Sequence, residues 1–274
     1  MTDIHMTKPN TVSSLKARKG GTPIVCLTAY SAPMAQILDQ HCDLLLVGDS
    51  IGMALYGMEN TLGVTLDMMI NHGRAVSTHT KNALVAVDMP YGTYETSADV
   101  ALNNAKKLMN EAGCDAVKLE GGQDIAPIIK HLVQHDIPVV AHIGLQPQSV
   151  EKEGGYRVKG KTDEDIKRLI RDAEAVAQAG AFAVVIEGTI ETVAKEITSS
   201  IPIPTIGIGA SADCDGQILV SEDMLGITQG HTAKFVKHYA NIGQSIETAA
   251  IEYAQDVRTR AFPEEAHTYK SKRA

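Results

Sequence analysis

Asp49, Asp88, Glu120, His142 and Glu187 each stand at or just past the end of a short apolar run, and Lys118 lies two residues before Glu120. Three carboxylates at the ends of neighbouring strands, Asp49, Asp88 and Glu120, repel one another. Unless a cation joins them, at least one is driven to bind a proton. With oxygen donors only and no Cys or His cluster beside them, the expected cation is Mg2+, held by one or two carboxylates with its other positions open to water or substrate. Any one of these aspartates alone reads as well as a turn-former or a helix cap. The three together with a lysine point to a site. Lys118 either neutralises Glu120 or, with a metal, binds an α-keto carboxylate.

Glu187, two or three strands further round, is a candidate general base; the competing reading is a glutamate turned outward into solvent. His142 either bonds a substrate oxygen or is a satisfied core histidine. His131 and His135 have metal-ligand spacing on a helix but lack the HExxH glutamate, and read as a solvated face. Gly154-Gly155-Tyr156-Arg157-Val158-Lys159-Gly160 has the glycine-flanked ends of a mobile lid or of an ordinary surface loop. Gly207-Ile208-Gly209-Ala210-Ser211, followed by Asp213 and Asp215, offers backbone N–H groups to an anion, a pattern that carries little weight by itself.

The runs that position these groups are Leu44 to Val47, Ala83 to Val87, Ala116 to Leu119, Pro138 to Ala141, Ala183 to Ile186 and Pro204 to Ile206. Lacking polar alternation, they read as strands buried on both faces of a parallel sheet covered by helices. Strands that all end in polar groups gather those groups at one rim, which predicts a (β/α)8 TIM barrel with its site at the carboxyl ends of the strands. Pro23 to Ala29 reads as strand one and Gln217 to Val220 as strand eight. Alternation along a strand places Ala116, Lys118 and Glu120 on the inner face, with Val117 and Leu119 toward the helices.

Between strands, Thr96 or Ser97 caps a helix that Gly113 ends, and Thr162 with Asp165 makes a capping-box-like start to one closed by Gly180. Each helix runs into a strand, and the phrases 111–121 and 178–188 are alike, which suits a barrel of like units. Residues 11–18 predict a leading N-terminal helix and 241–258 an extra C-terminal helix. At 274 residues, against roughly 250 for such a barrel, one domain spanning 1–274 is expected, with flexible termini at about 1–10 and 263–274.

The net charge of −8, with no basic stripe, argues against nucleic acid. Small anionic substrates remain open, because one metal ion or lysine reverses the local field. Cys26, Cys42, Cys114 and Cys214 form no CxxC pair and read as reduced thiols. The first twenty residues lack an apolar h-region and no segment approaches 18 uninterrupted apolar residues, so a cytoplasmic protein with no membrane partner is expected.

Several strings together resemble one family. Val47-Gly48-Asp49-Ser50-Ile51-Gly52-Met53, Asp88-Met89-Pro90, Val117-Lys118-Leu119-Glu120-Gly121-Gly122, His142-Ile143-Gly144-Leu145-Gln146-Pro147-Gln148, Gly154-Gly155-Tyr156 and Asp215-Gly216-Gln217-Ile218-Leu219-Val220 are similar to ketopantoate hydroxymethyltransferases, from about Thr11 to His267. The resemblance implies transfer of a one-carbon unit from 5,10-methylenetetrahydrofolate, as co-substrate, to the keto acid 3-methyl-2-oxobutanoate, giving 2-dehydropantoate for pantothenate synthesis. It implies Mg2+ at Asp49, Asp88 and Glu120, keto-acid contacts from Asp49, Ser50, Asp88 and Lys118, and Glu187 as proton acceptor; His142 joins the substrate side by the reading above. It also implies a homodecamer with exchanged C-terminal helices.

Ser31, Gly63, Gly188 and Ser211 stand where the family often has Asp, Pro, a bulkier residue and Gly, departures that bear on loop shape and the folate side. The rival enzyme class is the Mg-dependent keto-acid C–C lyases of the isocitrate lyase and phosphoenolpyruvate mutase type, whose Lys-Lys-Cys-Gly-His loop this chain lacks. A binding or scaffolding barrel predicts decay at the rim, and the rim residues are intact.

Overall fold

The computed structural model describes residues 8–228, 230 and 232–270, which fall into two compact units dividing after Ser221. The outermost residues of both termini, expected to be flexible, lie outside the described residues at 1–7 and 271–274.

In the first unit the apolar runs become eight strands: β1 (Ile24–Thr28), β2 (Leu44–Val47), β3 (Leu84–Asp88), β4 (Ala116–Glu120), β5 (Val139–Gly144), β6 (Ala183–Glu187), β7 (Thr205–Ile208) and β8 (Gly216–Leu219). Each pairs in parallel with the next, and β8 pairs with β1, closing the barrel. The predicted (β/α)8 barrel is therefore present, with the leading helix Val12–Lys16 capped by Thr11.

Alternation separates two apolar layers. Val117 and Leu119 pack with the surrounding helices, whereas Ala116 joins Cys26, Leu44, Leu46, Ala86, Val140, Val185 and Ile206 inside the barrel. The interior is thus a packed plug that closes the barrel beneath the inward Lys118.

The helix boundaries follow the sequence with two differences. Ser97 caps the helix Ala98–Lys107 by accepting from Val100 N at 3.2 Å, but the last turn, Leu108–Ala112, widens into a π-helix before left-handed Gly113. Thr162 caps the helix Asp163–Gln178 by accepting from Asp165 N, yet the Asp165 carboxylate turns to Gly160 N–H and Arg168. The reciprocal half of the expected capping box is absent because that carboxylate closes the preceding loop.

At the opening ends of the strands Asp215 accepts from Gly20 N at 2.7 Å and Thr205 N at 2.8 Å and pairs with Lys19. It ties the starts of β7 and β8 together at the end of the barrel opposite the carboxylates, and Asp213 pairs with Lys195.

The second unit carries the expected C-terminal helix, Ile242–Thr259, none of whose residues is buried. Among the described residues no helix is long and apolar enough to cross a membrane.

Candidate active site

Five consecutive strands deliver the site. Asp49 follows β2, Asp88 ends β3, Glu120 ends β4, His142 lies in β5 and Glu187 ends β6. Parallel register sets Asp88 beside Lys118, Glu120 beside His142 and Gly144 beside Glu187. Asp49 N–H donates to Asp88 Oδ2 at 3.0 Å, and Lys118 Nζ stands 3.0 Å from Asp88 Oδ1 and 3.2 Å from His142 Nδ1. His142 bridges two carboxylates, with Nδ1 3.4 Å from Glu120 Oε1 and Nε2 3.3 Å from Glu187 Oε2. Glu187 therefore faces inward, with 17% of its side chain exposed, and the outward-turned reading falls away.

Two glycines make room for this convergence. A Cβ on Gly48 would sit 2.8 Å from Ser50 Oγ and 3.5 Å from Asp88 Oδ2. Gly144, at φ +91°, would bring a Cβ to 2.3 Å from Glu187 O, where only a residue without a side chain fits.

The carboxylates carry more negative charge than the pocket comfortably holds. Burial, then Asp88 and Glu120, push the Asp49 carboxyl well above the usual range, and burial also raises Asp88 despite Lys118. Burial opposes the Lys118 ammonium, but Asp88, Glu120 and Asp49 outweigh it and hold the proton above the usual lysine range. Burial and Lys118 both disfavour a charge on His142, yet Glu120 and Glu187 prevail and push it up to about 9. Glu120 resists its own burial through His142 first, and stays below the usual range.

Among the described residues no three of His, Cys, Asp and Glu converge into a ready-made metal cage. The donor set nevertheless fits a hard divalent cation that keeps water and substrate in its shell. Its candidate ligands are oxygens, and Asp49 is forced toward protonation without a cation even with the Lys118 ammonium 3.0 Å from buried Asp88 Oδ1.

Two residues to which the sequence reading assigned no role sit at the centre. Gln148, 4% exposed on the turn Pro147–Ser149, donates from its backbone N to Glu120 Oε2 at 3.0 Å and from Nε2 to Asp49 Oδ2 at 2.8 Å. Tyr94 holds the other end of that carboxamide, its hydroxyl 2.6 Å from Gln148 Oε1. Gln148 stands in the string His142–Gln148, but a glutamine past a strand end has no spacing signature. Ser50 Oγ lies 2.7 Å from the Tyr30 hydroxyl at the edge of the mouth.

His131 and His135 are away from these groups, on and just past the helix Ala126–Gln134; His131 Nε2 is 3.5 Å from Asp99 and His135 Nδ1 2.8 Å from His131 O. In the glycine-flanked loop, exposed Tyr156 reaches Met53 Sδ at 3.6 Å. Ser31 caps the helix Ala32–Leu38, Ser211 bonds Glu191 at 3.0 Å, Gly63 faces Met58 and Gly188 has φ +50°, so these four residues shape loops and leave the carboxylates untouched. A groove of about 430 Å³ around Lys8, Asn10, Thr11 and Asp115 contains none of the predicted site residues.

The profile of the family described as ketopantoate hydroxymethyltransferase matches residues 9–265. A 3-methyl-2-oxobutanoate hydroxymethyltransferase of Rhizobium etli is 55% identical over 270 residues, covering 98% of this chain and 99% of the relative. Another, from Brucella suis, is 56% identical over 258 residues, 94% of each chain. Among solved structures, 2,3-dimethylmalate lyase, described as a PEP mutase/isocitrate lyase superfamily member, matches with a TM-score of 0.59 at 17% identity, covering 98% of this chain and 92% of that one. What is shared at that distance is the barrel.

Proposed function

The chain belongs to the ketopantoate hydroxymethyltransferase family, and from that membership and the barrel mouth we propose that it moves a hydroxymethyl group from 5,10-methylenetetrahydrofolate to 3-methyl-2-oxobutanoate, giving 2-dehydropantoate. The observation that carries this reading is the buried set Asp49, Asp88, Glu120 and Lys118, with Glu187 held beside it through His142.

Asp49, Asp88 and Glu120 would hold Mg2+, directly or through water. When bound, the ion supplies a Lewis acid that stabilises negative charge on the keto oxygen. Lys118 presents a fixed positive charge to the anionic keto acid, and Ser50 presents a hydroxyl at the edge of the mouth. Glu187 takes the proton from C3 of the keto acid. His142 stands between Glu120 and Glu187 and orients the Glu187 carboxylate; it meets a substrate oxygen by exchanging one of these two partners for it. Water opens the N–CH2–N bridge of the folate, its oxygen joining the one-carbon unit and its two hydrogens the two nitrogens; the carbon nucleophile attacks the resulting carbonyl carbon, the C3–carbon bond forms as the carbonyl π bond breaks, and the proton taken by Glu187 ends on the new hydroxyl oxygen. The loop around Tyr156 serves as a lid that keeps bulk water from this intermediate.

The same reading includes a homodecamer in the cytoplasm. The exposed Ile246, Tyr253 and Val257 of the C-terminal helix support the association, and four buried free cysteines suit a reducing compartment.

Incubating purified protein with 3-methyl-2-oxobutanoate, 5,10-methylenetetrahydrofolate and Mg2+ tests the reaction. Formation of 2-dehydropantoate by mass spectrometry is expected. Absence of product, together with glyoxylate release from isocitrate, would move the assignment to the C–C lyases.

A further inference from the structure

We infer that Gln148 is a positioning residue for the cation-binding carboxylates and that Tyr94 is its anchor: together they fix Asp49 and Glu120, from two non-adjacent strand ends, in the orientation that accepts a divalent ion. The inference rests on the Mg2+-dependent reading above.

The argument is an accounting of donors and acceptors. The two hydrogens of the Gln148 carboxamide meet Asp49 Oδ2 at 2.8 Å and Met89 O at 3.1 Å, the second a carbonyl that can only accept. Its carbonyl oxygen takes the Tyr94 hydroxyl proton at 2.6 Å. A flipped amide would set its oxygen against the Met89 carbonyl oxygen, so the partners dictate one orientation. The Tyr94 oxygen in turn accepts from Glu120 N at 3.2 Å, which ties the anchor to the end of β4. With the backbone N–H of Gln148 on Glu120 Oε2, one residue donates to a carboxylate beyond β2 and to another at the end of β4. Both side chains are buried, which shields these contacts from bulk water. Gln148 engages Asp49 Oδ2 and Glu120 Oε2, while Glu120 Oε1 faces His142 Nδ1 at 3.4 Å.

Isothermal titration of Mg2+ in the presence of 3-methyl-2-oxobutanoate, on the unaltered protein, Gln148→Leu and Tyr94→Phe, tests this. Loss of such an outer contact weakens metal binding by about 10–100-fold, the effect expected of Gln148→Leu. Tyr94→Phe leaves the amide in place but unanchored, and an intermediate loss is expected. Turnover of both variants should return to within a few fold of the unaltered protein at saturating Mg2+, which a damaged fold would not allow. If Gln148→Leu does not fold, Tyr94→Phe, which removes one oxygen atom, carries the test. Unchanged Mg2+ affinity in the folded variants overturns the positioning role alone. No Mg2+-dependent binding in the unaltered protein overturns the functional reading and this inference with it.

Discussion

Lys118 Nζ faces Asp88 Oδ1 across 3.0 Å, with the two side chains only 6% and 3% exposed. Removing one member of a buried pair leaves an uncompensated charge, which costs about 3–5 kcal/mol. Lys118→Met should lower stability by that order in urea denaturation without metal. Mg2+ should restore part of the loss, because a cation again offsets Asp49, Asp88 and Glu120. Equal losses with and without Mg2+ would separate Lys118 from the cation site.

Asp88→Ala should abolish Mg2+-dependent binding of 3-methyl-2-oxobutanoate, measured by calorimetry, whereas Glu187→Gln should keep it. The difference follows from position. Asp88 lies inside the carboxylate set, and Glu187 touches that set only through His142.

Gly144→Ala should destabilise the barrel and depress turnover together. Its φ of +91° disfavours a side chain, and the added Cβ would press on Glu187 O. Strain of this kind costs about 1–3 kcal/mol. A turnover unchanged at a temperature where the variant is fully folded would show that β6 absorbs the clash without moving Glu187.

Asp39 supplies a pH dependence distant from the site. Burial would raise its carboxyl, but the N–H groups of Ala83, Lys81 and Asn82 and the Asn82 side chain together hold it below the usual value. A folded value depressed below the unfolded one, near about 4, gives stability that is present above that unfolded value and is lost as pH falls through the folded one. Asp39→Asn should flatten the stability profile below about pH 4; identical acid slopes would assign that loss to other carboxyls.

The barrel and its rim were legible because uninterrupted apolar runs and two-residue alternation are direct images of strands buried on both faces. Lys118 could be placed inward from Ala116 and Glu120 alone, and the structure agrees. The His142 bridge between Glu120 and Glu187 was less visible, since register between neighbouring strands is not written in either strand. Gln148 and Tyr94 are joined across 54 residues, one on a single 3-10 turn and the other in a loop, so no periodic pattern links them. At Thr162 the cap was legible but the Asp165 carboxylate went to Gly160 N–H, a competition between two donors that spacing does not decide. The π turn after Lys107 keeps the same apolar positions as an α-helix, so periodicity does not distinguish them.

Proton–deuterium exchange at C3 of 3-methyl-2-oxobutanoate in D2O, followed by NMR without folate, tests the central claim most directly. Mg2+-dependent exchange by the unaltered protein that is lost in EDTA and in Glu187→Gln is the predicted result. Exchange that proceeds undiminished in Glu187→Gln would contradict Glu187 as the base, and no exchange with or without added folate would contradict enolisation at this site.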